Sequence, residues 1–144
     1  MEEYTIKIMN HLEDINTIEQ LRKEVFHLKQ NATNYYEFHI LHNQMIPYGM
    51  FYNNQLIAGC YISKSFDSIY VNFLFVKEEY RHNGLKIGRK LLLYILEHKK
   101  EIEEFFGQEF TISKLHPNNQ ESRRIYQTIG YNTTNNSNIM TKKI

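Results

Sequence analysis

The residues with the clearest chemical potential lie in Val76-Lys77-Glu78-Glu79-Tyr80-Arg81-His82-Asn83-Gly84-Leu85-Lys86-Ile87-Gly88-Arg89-Lys90-Leu91-Leu92. An apolar, aromatic-rich run from Ser68 to Val76 stops at charged residues. A short loop with Arg81 and two glycines follows, and then an amphipathic run begins. That order reads as strand, anion-binding loop, helix. Glycines let a ligand approach the backbone closely, and the first turn of a helix presents amide N–H groups without intrahelical partners. With the positive end of the helix dipole, these amides suit a phosphate or pyrophosphate. An ordinary strand-to-helix turn has the same appearance, so the loop alone names no ligand.

A second segment adds specificity: Asn119-Gln120-Glu121-Ser122-Arg123-Arg124-Ile125-Tyr126-Gln127-Thr128-Ile129-Gly130-Tyr131. Together the two segments resemble the GNAT superfamily of acetyl-CoA-dependent N-acetyltransferases. In that family a strand ending in Val leads to an Arg/Gln-x-x-Gly-x-Gly/Ala loop and a helix. Later come Asn-x-x-Ala/Ser, a Tyr on the following turns and a Gly-aromatic pair. Asn119, Ser122, Tyr126, Gly130 and Tyr131 fall in that register without a gap. The loop departs from the pattern: counted from Gly84, Lys86 takes the second small position. Aligning Ile87-Gly88-Arg89-Lys90-Leu91-Leu92 to the family's Ile-Gly-x-x-Leu-Leu restores the helix, with Leu91, Leu92, Ile95 and Leu96 as its buried stripe, and leaves a longer loop. The second register is preferred, and Lys86 then adds a charge that a glycine lacks.

The resemblance implies an α/β (α+β) fold: one domain over residues 1–144, with a mixed, mostly antiparallel sheet and helices on both faces. Two parallel strands, ending at Val76 and Leu115, would splay apart, and the pantetheine arm of acetyl-CoA would bond to main-chain groups near Leu74 to Val76. The cofactor-binding set is then Leu74, Val76, Arg81, Asn83, Gly84, Lys86, Ile87, Gly88 and Asn119. The pyrophosphate would rest on the amides of Asn83 to Gly88, helped by Arg81. Tyr126 is the catalytic candidate. Acetyl transfer to an amine releases a thiolate that needs a proton, and a phenol with a pKa of about 10 is protonated at neutral pH. Tyr126 follows Asn119 by about two helical turns, so both share a face. A core aromatic is the competing role for Tyr126, and a helix cap is an equally available role for Asn119.

No base is evident. Some relatives carry a Glu on the strand before the loop, whereas Ser68 to Val76 offers only Asn72. His116 and a water chain are the remaining options. The acceptor site would come from the N-terminal half, with Phe26, Tyr35, Tyr36, Phe38 and His39. A small-molecule primary amine such as an amino acid or polyamine is the first expectation, by direct attack in a ternary complex. A peptide or protein amine, or a noncatalytic CoA-binding module, is the alternative.

Composition fits this reading. The 144 residues make one ordinary domain, with 42% hydrophobic and 23% charged residues. A formal net charge of +1 gives no support to a nucleic-acid or membrane partner. No signal peptide or membrane span is visible, so a cytoplasmic enzyme is expected, with a homodimer left open. Cys60, the only cysteine, lies in the apolar run Leu56 to Ile62 and reads as a small buried hydrophobe. No disulfide or zinc–thiolate cluster can form within this sequence, and His39 and His42 lack a completing ligand, so no metal is expected.

The elements that must position these residues follow from patterning. Strands are expected at Tyr4 to Met9, Pro47 to Tyr52, Gln55 to Ile62, Ile69 to Val76, Glu109 to Leu115 and Asn138 to Ile144. Asn53-Asn54 reads as a hairpin turn. A helix capped by Asp14 or Asn16 carries Ile18, Leu21, Val25 and Leu28. Further helices are expected in Asn31 to Gln44, after the glycine loop to about His98, and from Asn119 to a left-handed end at Gly130. Glu101 to Glu104 reads as an acidic connection and Thr133 to Asn138 as a polar loop.

Overall fold

Tyr4-Thr5-Ile6-Lys7-Ile8 alternates half-buried apolar with exposed polar positions and forms edge strand β1 (Tyr4–Ile8). The structure, a computed structural model, describes residues 4–9, 12–28, 39–40, 44–81, 86–133 and 138–144. Helix α1 (Leu12–Phe26) begins before Asp14 and Asn16, so neither caps it. Asp14 is half-buried in the first turn and Asn16 exposed one turn inside, and apolar spacing does not mark where a helix begins. Ile15, Ile18 and Leu21 are buried, while Leu28 lies past the helix end and is exposed. Of the helix expected over Asn31 to Gln44, only His39 and Ile40 are described as helical; 31–38 and 41–43 lie outside the described residues.

Strands β2 (Met45–Tyr52) and β3 (Gln55–Ser65) join through Asn53 and Asn54, both in the left-handed region, as a tight hairpin requires. β3 runs past the expected Ile62 and pairs with β4 (Ser68–Val76). A 3-10 turn (Glu78–Tyr80) precedes α2 (Ile87–Glu97), whose buried stripe is Ile87, Leu91, Leu92 and Ile95, with Leu96 half-buried. Glu101 to Glu104 is not a plain connection. It lies in α3 (Lys99–Phe106), held by buried Ile102 and half-buried Phe105 and Phe106, too few apolar positions to stand out in the sequence.

β5 (Ile112–Leu115) is shorter than the expected Glu109 to Leu115. The Phe110 amide donates to the Glu103 carboxylate at 2.8 Å instead of to a neighbouring strand, and the Thr111 amide donates to the Asp67 carbonyl, just before β4, at 3.0 Å. Next come α4 (Gln120–Ile129), a short β6 (Asn132–Thr133) that patterning did not reveal, and β7 (Met140–Lys143). The sheet order is β1-β2-β3-β4-β5-β7-β6. Only β4 and β5 pair in parallel among the described strands, which gives the expected mixed, mostly antiparallel sheet.

Two apolar clusters cover the two sheet faces. One joins α2, α3 and α4 to residues such as Cys60 and Ile62, and the other joins α1 to Leu56, Tyr61 and Phe75. Gly59 is needed where α1 approaches: a Cβ there would meet Ile18, Phe75 and the Tyr48 carbonyl at 2.9 Å each.

Candidate functional site

β4 and β5 pair from Ser68 with Ile112 to Val71 with Leu115. Beyond that point β4 continues to Val76, whereas β5 gives way to His116 and Pro117. Proline has no N–H and cannot extend the ladder, so the two strands part at their carboxyl ends. The β4 stretch beside this gap is bulged. Phe75 pairs with Gly59 and Asn72 with Tyr61, so β4 carries one residue more than β3 between these pairs. Phe73, inside the bulge, has φ 55°. The extra residue reverses the alternation: Ile69 and Val71 face the α2 side, and after the bulge so do Leu74 and Val76. A Cβ on Gly88 would lie 3.6 Å from Val76 and 3.9 Å from Leu74.

The gap opens into a cleft of about 340 Å³. Leu74 and Val76 line it from β4, Arg81 from the turn after it, and Lys86, Ile87 and Gly88 from the start of α2. Asn119 and Tyr126 line it from α4. The structure thus brings eight of the residues singled out in the sequence to one place; Asn83 and Gly84 lie outside the described residues. The Arg81 amide donates to the Glu78 carbonyl at 3.1 Å, which ties this residue to the 3-10 turn. Its buried Nε has no hydrogen-bond partner among the described residues. A buried guanidinium N–H without an acceptor costs free energy, and an anion in the cleft would satisfy it. Lys86 and Arg89 add positive charge to the same wall, and no capping bond from the left-handed N-cap Lys86 occupies the first α2 amides. These residues fit a phosphate-bearing group.

Helix α4 is fixed at both ends. The Asn119 side-chain oxygen accepts from the Ser122 amide at 2.8 Å, and the Ser122 hydroxyl accepts from the Asn119 amide at 3.1 Å. At the other end Gly130 takes φ 112°, the expected left-handed cap. Between them Tyr126 is 4% exposed, with its ring edge-on to Tyr131 at 6.2 Å. Burial, with smaller contributions from Cys60 and Tyr131, pushes the Tyr126 phenol well above the usual tyrosine range. The Tyr131 hydroxyl is hydrogen-bonded to Ser113 at 2.7 Å. Its pKa is pushed up to about 12 by burial, partly opposed by that bond. Cys60 is fully buried and its thiol is pushed up by desolvation, so it sits as a small core residue.

Neither Asn72, which stands where some relatives carry a Glu, nor His116, the base candidate, lines the cleft. The Asn72 amide donates to the Tyr61 carbonyl, the Ser63 hydroxyl and the Tyr70 carbonyl, securing the bulge. His116 is exposed beside the Tyr70 ring, 5.7 Å between centroids. At the α1 end the cleft is lined by Val25 and Phe26. Phe26 was expected near the acceptor; Tyr35, Tyr36 and Phe38 lie outside the described residues, and His39 does not line the cleft. Val25, Tyr80 and Ile125 were not singled out for the site. Only Ile125, one turn after Ser122, carried a positional signal.

Parallel strands that part beside a helix N-terminus define a class: open-sheet proteins whose ligands lie outside the carboxyl ends of their strands. The chain belongs to the acetyltransferase (GNAT) family, whose description matches residues 8–131. No curated protein sequence matches it. Among solved structures it is similar to the PaiA N-acetyltransferase from Thermoplasma acidophilum in complex with coenzyme A (22% identity, TM-score 0.70, 97% of this chain and 99% of that one). It is also similar to the ribosomal-protein-S18-alanine N-acetyltransferase from Escherichia coli (16%, 0.73, 99% and 94%). A third is a predicted acetyltransferase with acetyl-CoA from Clostridium acetobutylicum (18%, 0.67, 95% and 94%). At these identities the likeness is one of fold. Among the described residues no helix is long and apolar enough to cross a membrane.

Proposed function

We propose that this protein transfers an acetyl group from acetyl-CoA to a primary amine, by direct attack in a ternary complex. The observation that carries this reading is the unpartnered, buried Nε of Arg81 in the cleft that Asn119 and Tyr126 also line. The coenzyme A and acetyl-CoA complexes of two structural neighbours support the choice of co-substrate. Acetyl-CoA supplies the acetyl group as a thioester. Arg81, Lys86 and the first amides of α2, including that of Gly88, hold its diphosphate, and Ile87 anchors that turn in the core. Main-chain groups of Leu74 to Val76, free of β5, hold the pantetheine as an added strand would be held. Asn119 keeps its side-chain oxygen in the cap and offers its NH₂ group to the same arm. Tyr126 gives its phenolic proton to the departing thiolate.

The amine enters at the Val25 and Phe26 end. Our first choice of acceptor is a small-molecule primary amine, such as an amino acid or polyamine, in a cytoplasmic setting. The test is acetyl-CoA consumption against a panel of amino acids, polyamines and short peptides. Saturable turnover with one small amine is expected. Turnover with peptides alone moves the acceptor class to peptide or protein amines, and acetyl-CoA binding without turnover on any amine marks a noncatalytic module.

A further inference from the structure

We propose that Arg22 is a positioning residue: its buried guanidinium, clamped by Glu19, packs on the Phe73 ring and sets the β4 bulge that aims Leu74 to Val76 into the cleft. The proposal rests on the reading that this stretch of β4 holds acetyl-CoA. Glu19 and Arg22 lie one turn apart on α1. Arg22 Nε donates to Glu19 Oε2 at 2.6 Å, Nη2 donates to Oε1 at 3.0 Å, and the Tyr61 hydroxyl donates to Oε2 at 2.8 Å. Glu19 is 1% exposed and Arg22 5%. Desolvation offsets most of what such a pair gains, so its burial is a poor source of stability. Its distinctive property is geometric, since a bidentate fork fixes the plane of the guanidinium.

The fixed guanidinium lies 5.2 Å from the centre of the Phe73 ring. Phe73 is the residue that breaks the alternation of β4, and its φ of 55° is one that bulky residues rarely adopt. The ring is 47% exposed, so burial gives it limited hold. A cation–π contact with a desolvated guanidinium strengthens that hold. Were Phe73 to relax to negative φ, the peptide planes on either side would turn. The main-chain groups of Leu74 to Val76 beside the gap would then turn with them.

The experiment is calorimetric titration of acetyl-CoA into the wild-type chain, Phe73→Leu, Phe73→Tyr, and the paired Glu19→Gln/Arg22→Met variant, which removes the ion pair without stranding a charge. Phe73→Leu and the paired variant should each weaken binding by about three- to tenfold. Phe73→Tyr, which keeps the ring, should bind as the wild type does. Combining Phe73→Leu with the paired variant should cost no more than the worse of the two, because both remove one contact. Phe73→Leu alters a half-exposed side chain and stays folded even if the paired variant does not. Unchanged affinity in Phe73→Leu, loss in Phe73→Tyr, or full additivity overturns the proposal while leaving the functional reading intact. A wild-type chain that does not bind acetyl-CoA overturns both.

Discussion

Tyr126 sits where burial raises its pKa, which keeps the phenol protonated at every pH at which the protein would work. A raised pKa also makes it a weaker acid, but a thiolate released into the same cleft is a stronger base, since desolvation penalises both anions. Proton transfer between them stays feasible for that reason. Tyr126→Phe keeps the ring and its edge contact with Tyr131 while removing the proton. Its kcat should fall by about a hundredfold or more, with acetyl-CoA affinity little changed. Near-normal kcat in steady-state assays at saturating amine would make Tyr126 a packing residue. Among the described residues Glu121 is the one carboxylate that lines the cleft and no histidine does; an amine that arrives neutral, or loses its proton to water, needs neither. The expected kcat/KM therefore rises with pH through the mildly alkaline range toward an amine pKa of about 10. His116→Ala should leave that profile unaltered; an ascending limb near pH ~6.5 that vanishes in the variant would instead make His116 the base.

At the scale of elements, the cleft depends on two helix N-termini presented differently. The α2 N-cap, Lys86, makes no side-chain capping bond, whereas the α4 terminus is closed by its own capping box. Gly88 is the residue through which α2 meets the cleft, and a Cβ there makes only ordinary contacts with Val76 and Leu74. Gly88→Ala should thus raise stability by about 0.4–1 kcal/mol, as a helical Gly→Ala change does. It should weaken acetyl-CoA binding nonetheless, because a methyl group then stands between ligand and backbone. Thermal melts and titrations on one sample test the pair of effects, and unchanged affinity would move the phosphate contact away from Gly88. Asn119→Ala removes the cap and should lower stability by about 1 kcal/mol, near 3 °C in Tm. An acetyl-CoA titration corrected for folded fraction then tells whether its amide also touches the ligand.

For the molecule as a whole, alkaline stability follows from what the core contains. Tyr131 is pushed up to about 12, and burial also raises Tyr126, Tyr48 and Cys60. A group whose pKa is higher folded than unfolded holds its proton longer in the native state. Its contribution is complete below the unfolded pKa, near 9.0 for the thiol and 10.0 for the phenols, and is lost as pH rises toward the folded value. Tm should therefore hold steady from these groups until about pH 9 and fall above it. Tyr131→Phe should flatten part of that fall. An unchanged slope in the variant would show that Tyr131 ionises as readily folded as unfolded.

The sequence by itself determined the strand-loop-helix around Arg81, the left-handed stop at Gly130 and the hairpin at Asn53-Asn54. Each depends on residues adjacent in the chain and on backbone rules that act locally. It also carried the spacing of Asn119, Ser122 and Tyr126, because one helix holds them and its period is constant. Tertiary structure decided the rest. α3 has few apolar residues and is held by packing of Ile102, and the start of β5 is cut back because Glu103 takes the Phe110 amide. The bulge at Phe73 could not be read from Ser68-Ile69-Tyr70-Val71-Asn72-Phe73-Leu74-Phe75-Val76, since a run apolar on both faces hides a change of phase. Which side chains reach the cleft follows from that phase, and only the register against β3 and the approach of α1 reveal it. Local sequence specifies local conformation; a shift in alternation is defined only against a neighbouring strand.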